Sequence, residues 1–209
     1  MQKSLATVIA GEVAYKAPSS ELTTELVRKG IHLLIAFVPL FASVNIYATL
    51  LLLGFGIVVY SWAEKLRCEG KSVFIITRLT DLASRERDRG SYVLGPVTLG
   101  LGAMGALFFY PEPAASIAIY ALAFGDSFSS VIGKGIGGIQ LPFTGGKTAS
   151  GSMTCLLIVF VVSFLLTGYL GVSLLIAIVA TVLEALPLKD MDNIVIPLGT
   201  GLAAALLLL

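Results

Sequence analysis

Charge is what this sequence has least of: only 13% of its residues are Asp, Glu, Lys or Arg, about half the share of an ordinary soluble domain. Against 56% hydrophobic residues, so few charges cannot clothe a globule in polar surface, and a water-soluble fold is excluded. The net charge of +1 supplies no global field, so no nucleic-acid partner is expected. Histidine occurs once, at His32, and cysteine twice, at Cys68 and Cys155. Thiols so few and so far apart exclude a disulfide framework and a zinc site. The opening MQKSLATVIA has an apolar stretch too brief for a signal-peptide core and is expected to stay attached. An internal repeat of the kind that builds inverted-repeat transporters is also lacking.

What remains is apolar runs separated by short charged segments. The runs fall at about 30–45, 46–63, 92–110, 114–132, 152–170, 172–188 and 194–209, each near the ~20 residues that cross a bilayer. The pattern predicts an all-α integral membrane protein, a polytopic bundle of about seven transmembrane helices in one catalytic domain, 1–209. Tight hairpins are expected at Ser43–Asn45 and around Asp190–Asn193. With alternating connections, one side receives Arg28, Lys29, seven Lys or Arg of the 64–91 loop, the 133–151 loop and the 189–193 turn, and the other receives no basic residue. The positive-inside bias makes the charged side cytoplasmic, so the expected setting is a prokaryotic cytoplasmic membrane with the active site on its cytoplasmic face. Within 64–91, Val73, Phe74, Ile76, Leu79, Leu82 and Ala83 recur at helical spacing beside Arg78, Arg85 and Arg87. These residues predict a cytoplasmic basic amphipathic helix lying on the membrane.

Four patches on that side carry chemistry. In AFGDSFSSVIGKGIGGIQLPFTGGKTASGS, residues 123–152, an apolar span ends in Asp126, and an ionisable group in a span is by default functional. Ser129 and Ser130 share its helical face. The following loop has seven glycines between 133 and 151 with Lys134 and Lys147, a composition suited to backbone and ammonium contacts with phosphates. Gly133–Gly138 matches GxGxxG but follows a span rather than a strand, and Gly145–Thr148 lacks the first Walker glycine because position 141 is Leu141, so neither motif is adopted. The third patch is Glu25, Arg28, Lys29 and His32, and the fourth is Glu184 with Asp190, Asp192 and Asn193. Oxygen clusters of the latter kind suit Mg²⁺ bound together with phosphates.

In order along the chain these patches resemble the CTP-dependent lipid kinases, the family of dolichol (polyprenol), phytol and yeast-type diacylglycerol kinases. The resemblance covers 25–198 through Arg28-Lys29-x-x-His32, Gly125-Asp126-Ser127 with Gly133-Lys134, Lys147-Thr148-x-x-Gly151-Ser152, and Asp192-Asn193-x-x-x-Pro197. It implies phosphoryl transfer from CTP to the hydroxyl of a membrane lipid alcohol. Asp126, Lys147 and Asp192 would be catalytic. Asp126, Asp192 and Asn193 would hold Mg²⁺. Arg28, Lys29, Lys134, Gly146, Lys147, Thr148, Gly151 and Ser152 would bind the triphosphate, with His32 and Glu184 in second rank. The central region also resembles phosphatidate cytidylyltransferases, whose C-terminal signature is not found here. An ion-coupled transporter using Asp126 and Glu184 is the alternative from another class. Glycines at 95, 100, 102 and 105 allow helices to approach closely, within one chain or in a homodimer.

Overall fold

The computed structural model describes residues 14–15, 19–71, 73–84 and 91–209. It is helical apart from a two-residue antiparallel ladder, β1 (Ala14–Tyr15) with β2 (Gly138–Ile139). The helices are α1 (Ser19–Leu33), α2 (Val38–Val44), α3 (Ile46–Cys68), α4 (Phe74–Ala83), α5 (Gly95–Phe109), α6 (Ala114–Tyr120), α7 (Ser127–Ile136), α8 (Ala149–Thr167), α9 (Leu170–Ala185) and α10 (Asp192–Leu207). Short 3₁₀ turns lie at Leu34–Phe37 and Lys189–Met191, and a π-helical segment, Ala121–Asp126, joins α6 to α7.

Five continuous stretches are long and apolar enough to cross a bilayer, at 21–44, 46–68, 114–136, 149–167 and 189–207, and α5 and α9 are shorter apolar helices. These five and the two shorter apolar helices fit the expected all-α polytopic membrane architecture. At ~1.5 Å per residue, α5 and α9 fall short of the ~30 Å hydrocarbon thickness. The first span differs from the expected one. It begins at Glu21 rather than near residue 30, which draws Arg28, Lys29 and His32 into the bundle instead of leaving them at the headgroups.

Local chemistry explains the breaks. Asn45 ends the first hairpin arm and caps the second, its side chain accepting from Ala48 N at 3.0 Å. Thr148 caps α8 by accepting from Gly151 N at 3.3 Å, and Gly168 closes that helix at φ +73. The second expected hairpin turns at Lys189–Met191. The amphipathic helix is α4, packed on α1 and α3, with Ile75, Leu79 and Leu82 facing outward and Thr80 buried. Arg85 and Arg87 lie outside the described residues.

The 114–136 stretch is the hub. Some 67% of its most apolar window is buried, against 11% for 46–68, whose Leu51, Phe55, Val58 and Trp62 face outward as a lipid-facing surface would. Around the hub sit α1, α5, α8, α9 and α10. Small residues set the closest crossings. Pro197 has no N–H for the Asn193 carbonyl one turn back, and the bare Cα of Gly102 on α5 fills that space: a Cβ there would lie 2.0 Å from the carbonyl oxygen. Gly133 and Gly151 likewise face one another across α7 and α8, and a Cβ on Gly151 would meet Ser129 O at 2.7 Å. Three of the four α5 glycines proposed for close approach thus meet the same chain, with Gly100 against Ile57, Gly102 against Asn193 and Gly105 against Leu198.

The two ends of the bundle segregate by polarity. Residues of the N-terminal segment, the 133–151 loop and the 184–192 turn line one cavity, whereas Ser43, Ile46, Tyr110, Pro111 and Glu112 gather around another. Two predictions follow from this arrangement. In a background without Cys68, single cysteines at Lys71, Pro142 and Met191 react with an impermeant maleimide from one side of sealed vesicles and one at Glu112 from the other; mixed sidedness among the first three refutes the arrangement. Gly102→Ala overpacks the α5–α10 crossing and lowers stability in detergent by at least about 1–3 kcal/mol, read from the thermal midpoint.

Candidate active site

The cavity at the basic end has a volume of about 910 Å³. Its described lining carries four cationic side chains, Arg28, Lys134, Lys147 and Lys189, and four carboxylates, Glu21, Glu25, Glu184 and Asp192. Most of these cations are already engaged. Lys134, in the last turn of α7, donates to Glu25 Oε2 at 2.9 Å, and Arg28 donates to Glu25 Oε1 from one helical turn away. Lys147 donates to Glu184 Oε1 at 2.6 Å and also to the Glu184 backbone carbonyl. Burial lowers the proton affinity of the Lys147 ammonium, but the negative charges of Glu184 and Asp126 outweigh it, so its pKa is raised and the group stays cationic.

The loop that delivers Lys147 is a small hairpin. Leu141 N donates to Lys147 O at 2.8 Å, Gln140 bridges to Thr148, and Gly145 and Gly146 take φ of +72 and +98, which side chains rarely tolerate. Ser150 donates to Gly137 O at 2.7 Å and so ties the loop to the end of α7. The GxGxxG lookalike occupies the C-terminal end of α7, the opposite helix pole from the one that binds phosphate, so setting it aside is borne out.

Beneath the cavity lies a second, buried layer. Lys29 and Asp126 are each 1% exposed and form an ion pair, with His32 Nδ1 at 3.7 Å from the same Asp126 oxygen. The π-helical segment ends on Asp126, and such segments re-aim side chains within a helix. Asn193, fully buried at the start of α10, donates through Nδ2 to Thr98 Oγ1 at 2.9 Å and Gly95 O at 3.2 Å. Asp192 lines the cavity above it, within electrostatic reach of Asp126, Lys29, Lys147 and Arg28. Among the described residues, Asp126 Oδ1, Asn193 Oδ1, Glu184 Oε2 and Ser152 Oγ are buried without a hydrogen-bond partner.

The structure therefore brings the expected residues together in two tiers. Arg28, Lys134, Gly146, Lys147, Thr148, Gly151, Ser152, Glu184 and Asp192 line the cavity; Lys29, His32, Asp126 and Asn193 are buried behind that lining. Glu184, ranked second by sequence, is central, because it accepts from both Lys147 and Ser129, the latter at 3.0 Å. Sequence reading gave no role to Glu25, although its spacing three before Arg28 signals the ion pair, or to Thr98, which no local pattern marks. It also missed a buried clamp on α3, where Glu64 takes Arg67 bidentately at 2.7 and 2.8 Å and Val93 N at 2.7 Å, pinning the start of α5. Among the described residues, no three His, Cys, Asp or Glu side chains gather as a ready-made metal cage. Mg²⁺ rarely uses one, relying on one or two carboxylates plus substrate phosphates.

A pair buried as deeply as Lys29 and Asp126 is costly to break from one side. Lys29→Met is expected to cost about 3–5 kcal/mol, seen as a lower thermal midpoint in detergent, while Lys29→Met combined with Asp126→Asn recovers most of that loss. A double variant no more stable than the single one counts against the pairing.

Searches of family models and of solved structures find no match. Among curated proteins the chain is similar to a probable chloroplastic phytol kinase of Triticum aestivum, 30% identical over 147 residues, covering 62% of this chain and 49% of that one. It is also similar to the chloroplastic phytol kinase 1 of Arabidopsis thaliana, 29% identical over 160 residues, covering 68% and 53%. A probable phytol kinase 1 of Oryza sativa subsp. japonica is 32% identical over 117 residues, covering 48% and 37%. The chain spans about half the length of the curated relatives it matches. These names overturn the expectation of a prokaryotic cytoplasmic membrane, since the relatives are chloroplastic proteins of plants. Charge bias identifies a side of a membrane and carries no information on which membrane it is. Over the aligned residues the chain is similar to chloroplastic phytol kinases of plants.

Proposed function

We propose that this protein transfers the γ-phosphoryl group of CTP to the hydroxyl of a long-chain lipid alcohol held in the bilayer, a phytol-like alcohol first among them. The observation that carries the reading is a cavity at the basic end of a membrane bundle in which Arg28, Lys134 and Lys147 converge above buried, unpartnered carboxylate and amide oxygens. Phosphoryl transfer asks a protein mainly for positioning and charge neutralisation, and this is the inventory it needs. CTP as donor rests on the motif order; the alcohol acceptor rests on the relatives' names.

The cations are held in place by Glu25 and Glu184, so they need no reorganisation beyond exchanging a carboxylate for a phosphate. Because cations and carboxylates balance along the described lining, the cavity favours a nucleotide whose charge is partly neutralised over a bare polyanion. The unpartnered Oδ1 atoms of Asp126 and Asn193, with Asp192 above them, fit a hard cation arriving with the nucleotide. Bound there, Mg²⁺ would withdraw charge from the β- and γ-phosphates. Lys29 pairs with Asp126 and orients it. Thr148 and Gly151 shape the start of α8, where the unpartnered Ser152 hydroxyl can donate to a phosphate oxygen.

With the protein in phytol-containing vesicles, label from the γ-phosphate of CTP is expected in the lipid fraction and label from the α-phosphate is not. Lipid labelled from the α position, with phosphatidic acid required, would make the protein a cytidylyltransferase. Lys147→Ala, which leaves triphosphate charge uncompensated, should lower γ-label transfer by about two orders of magnitude or more.

A further inference from the structure

The described cavity wall is built of polar residues and glycines except just beyond α9, where Leu186, Pro187 and Leu188 follow Glu184 after Ala185. Glu184 stands at that boundary. It is 1% exposed, yet it lines the cavity, and it is the only described carboxylate there with an oxygen that is both buried and unpartnered. Its other oxygen is fixed from two sides, by Lys147 Nζ at 2.6 Å and Ser129 Oγ at 3.0 Å. The same Ser129 hydroxyl, with its one hydrogen, also lies 3.1 Å from the Asp126 carbonyl oxygen, so the carboxylate is referenced to the same helix that carries the buried ion pair. A carboxylate clamped through one oxygen and buried without a partner at the other lacks a donor hydrogen there.

We propose that the end of α9 is the acceptor-alcohol subsite, with Glu184 Oε2 receiving the hydroxyl hydrogen of the lipid and the Leu186–Leu188 strip receiving the first carbons of its chain. This assignment rests on the kinase reading above and gives that reaction its base, separate from Asp126 and Asp192. Glu25 does not compete for the role, because both of its oxygens accept from Arg28 and Lys134. As the alcohol oxygen forms its bond to the γ-phosphorus, its proton passes to Glu184 Oε2. The bond from the γ-phosphorus to the β,γ-bridging oxygen breaks, and the nucleoside diphosphate leaves with that electron pair. The proton on Glu184 is then released to water through the cavity. Lys147 lies between the two subsites: its ammonium holds Glu184 Oε1 before transfer and faces the phosphates during it.

The test uses the full chain in phytol vesicles with γ-labelled CTP and Mg²⁺. Glu184→Gln keeps an acceptor oxygen for Ser129 and removes the base, so kcat should fall by about 100-fold or more while KM for CTP stays within about twofold. Glu184→Asp should recover part of the loss. Leu186→Asp should raise KM for phytol at least about tenfold with KM for CTP unchanged. Stabilisation of each variant by CTP and Mg²⁺ in a thermal-shift assay reports that the fold and donor site are intact. Transfer by Glu184→Gln within about threefold of the unaltered protein, or loss of CTP-induced stabilisation together with activity, overturns the assignment while the kinase reading stands. No γ-label transfer by the unaltered protein overturns the kinase reading and this assignment with it.

Discussion

A charge removed from water inside a membrane must be matched by another, and the placement of almost every polar side chain in this bundle obeys that constraint. Lys29 and Asp126 meet within the hub, and His32 packs beside them. Above them Glu25 matches Arg28 and Lys134, and Glu184 matches Lys147. Away from the cavity, Glu64 matches Arg67 at the foot of α3. None of these pairs is strong evidence of stability taken alone, since desolvation offsets most of the attraction. Their effect is positional: each carboxylate fixes where a cation can be, and Arg28, Lys134 and Lys147 line one space.

Holding that space open requires helices to approach more closely than ordinary side chains permit. Pro197 frees a carbonyl, Gly102 fits against it, and Asn193 is thereby held so that its amide reaches α5 while its oxygen remains buried beneath the cavity. The glycines of α7 and α8 do the same on the other side, bringing the capped start of α8 against the helix that carries Asp126. Packing and chemistry share residues here: Gly151 is both a cavity wall and a helix crossing.

Much of this was legible in the sequence because membrane crossing imposes length and apolarity directly, and one-sided charge orders the ends. The apolar runs, the hairpins at Asn45 and Lys189–Met191, and the convergence of four distant patches all have a residue-level signal. What was not legible has a physical reason too. Where the first span begins depends on whether Arg28, Lys29 and His32 find partners inside, and their partner Asp126 is 97 residues from Lys29. The rank of Glu184 depended on a contact with Ser129 from another helix. Ion pairs three residues apart, such as Glu64 with Arg67, were readable from spacing and were passed over because a charged helix end ordinarily faces solvent.

The π-helical turn at Ala121–Asp126 carries a consequence for how such a chain can change over time. Each residue of an α-helix rotates the chain by about 100°. The i→i+5 bonds of this segment take up one residue more than the α-helical turn they replace. A related chain one residue shorter here could therefore wind as a regular helix and still aim Ser129 at Glu184 and Lys134 at Glu25. What the extra residue changes is the direction of the side chains inside the segment, Asp126 at its end among them.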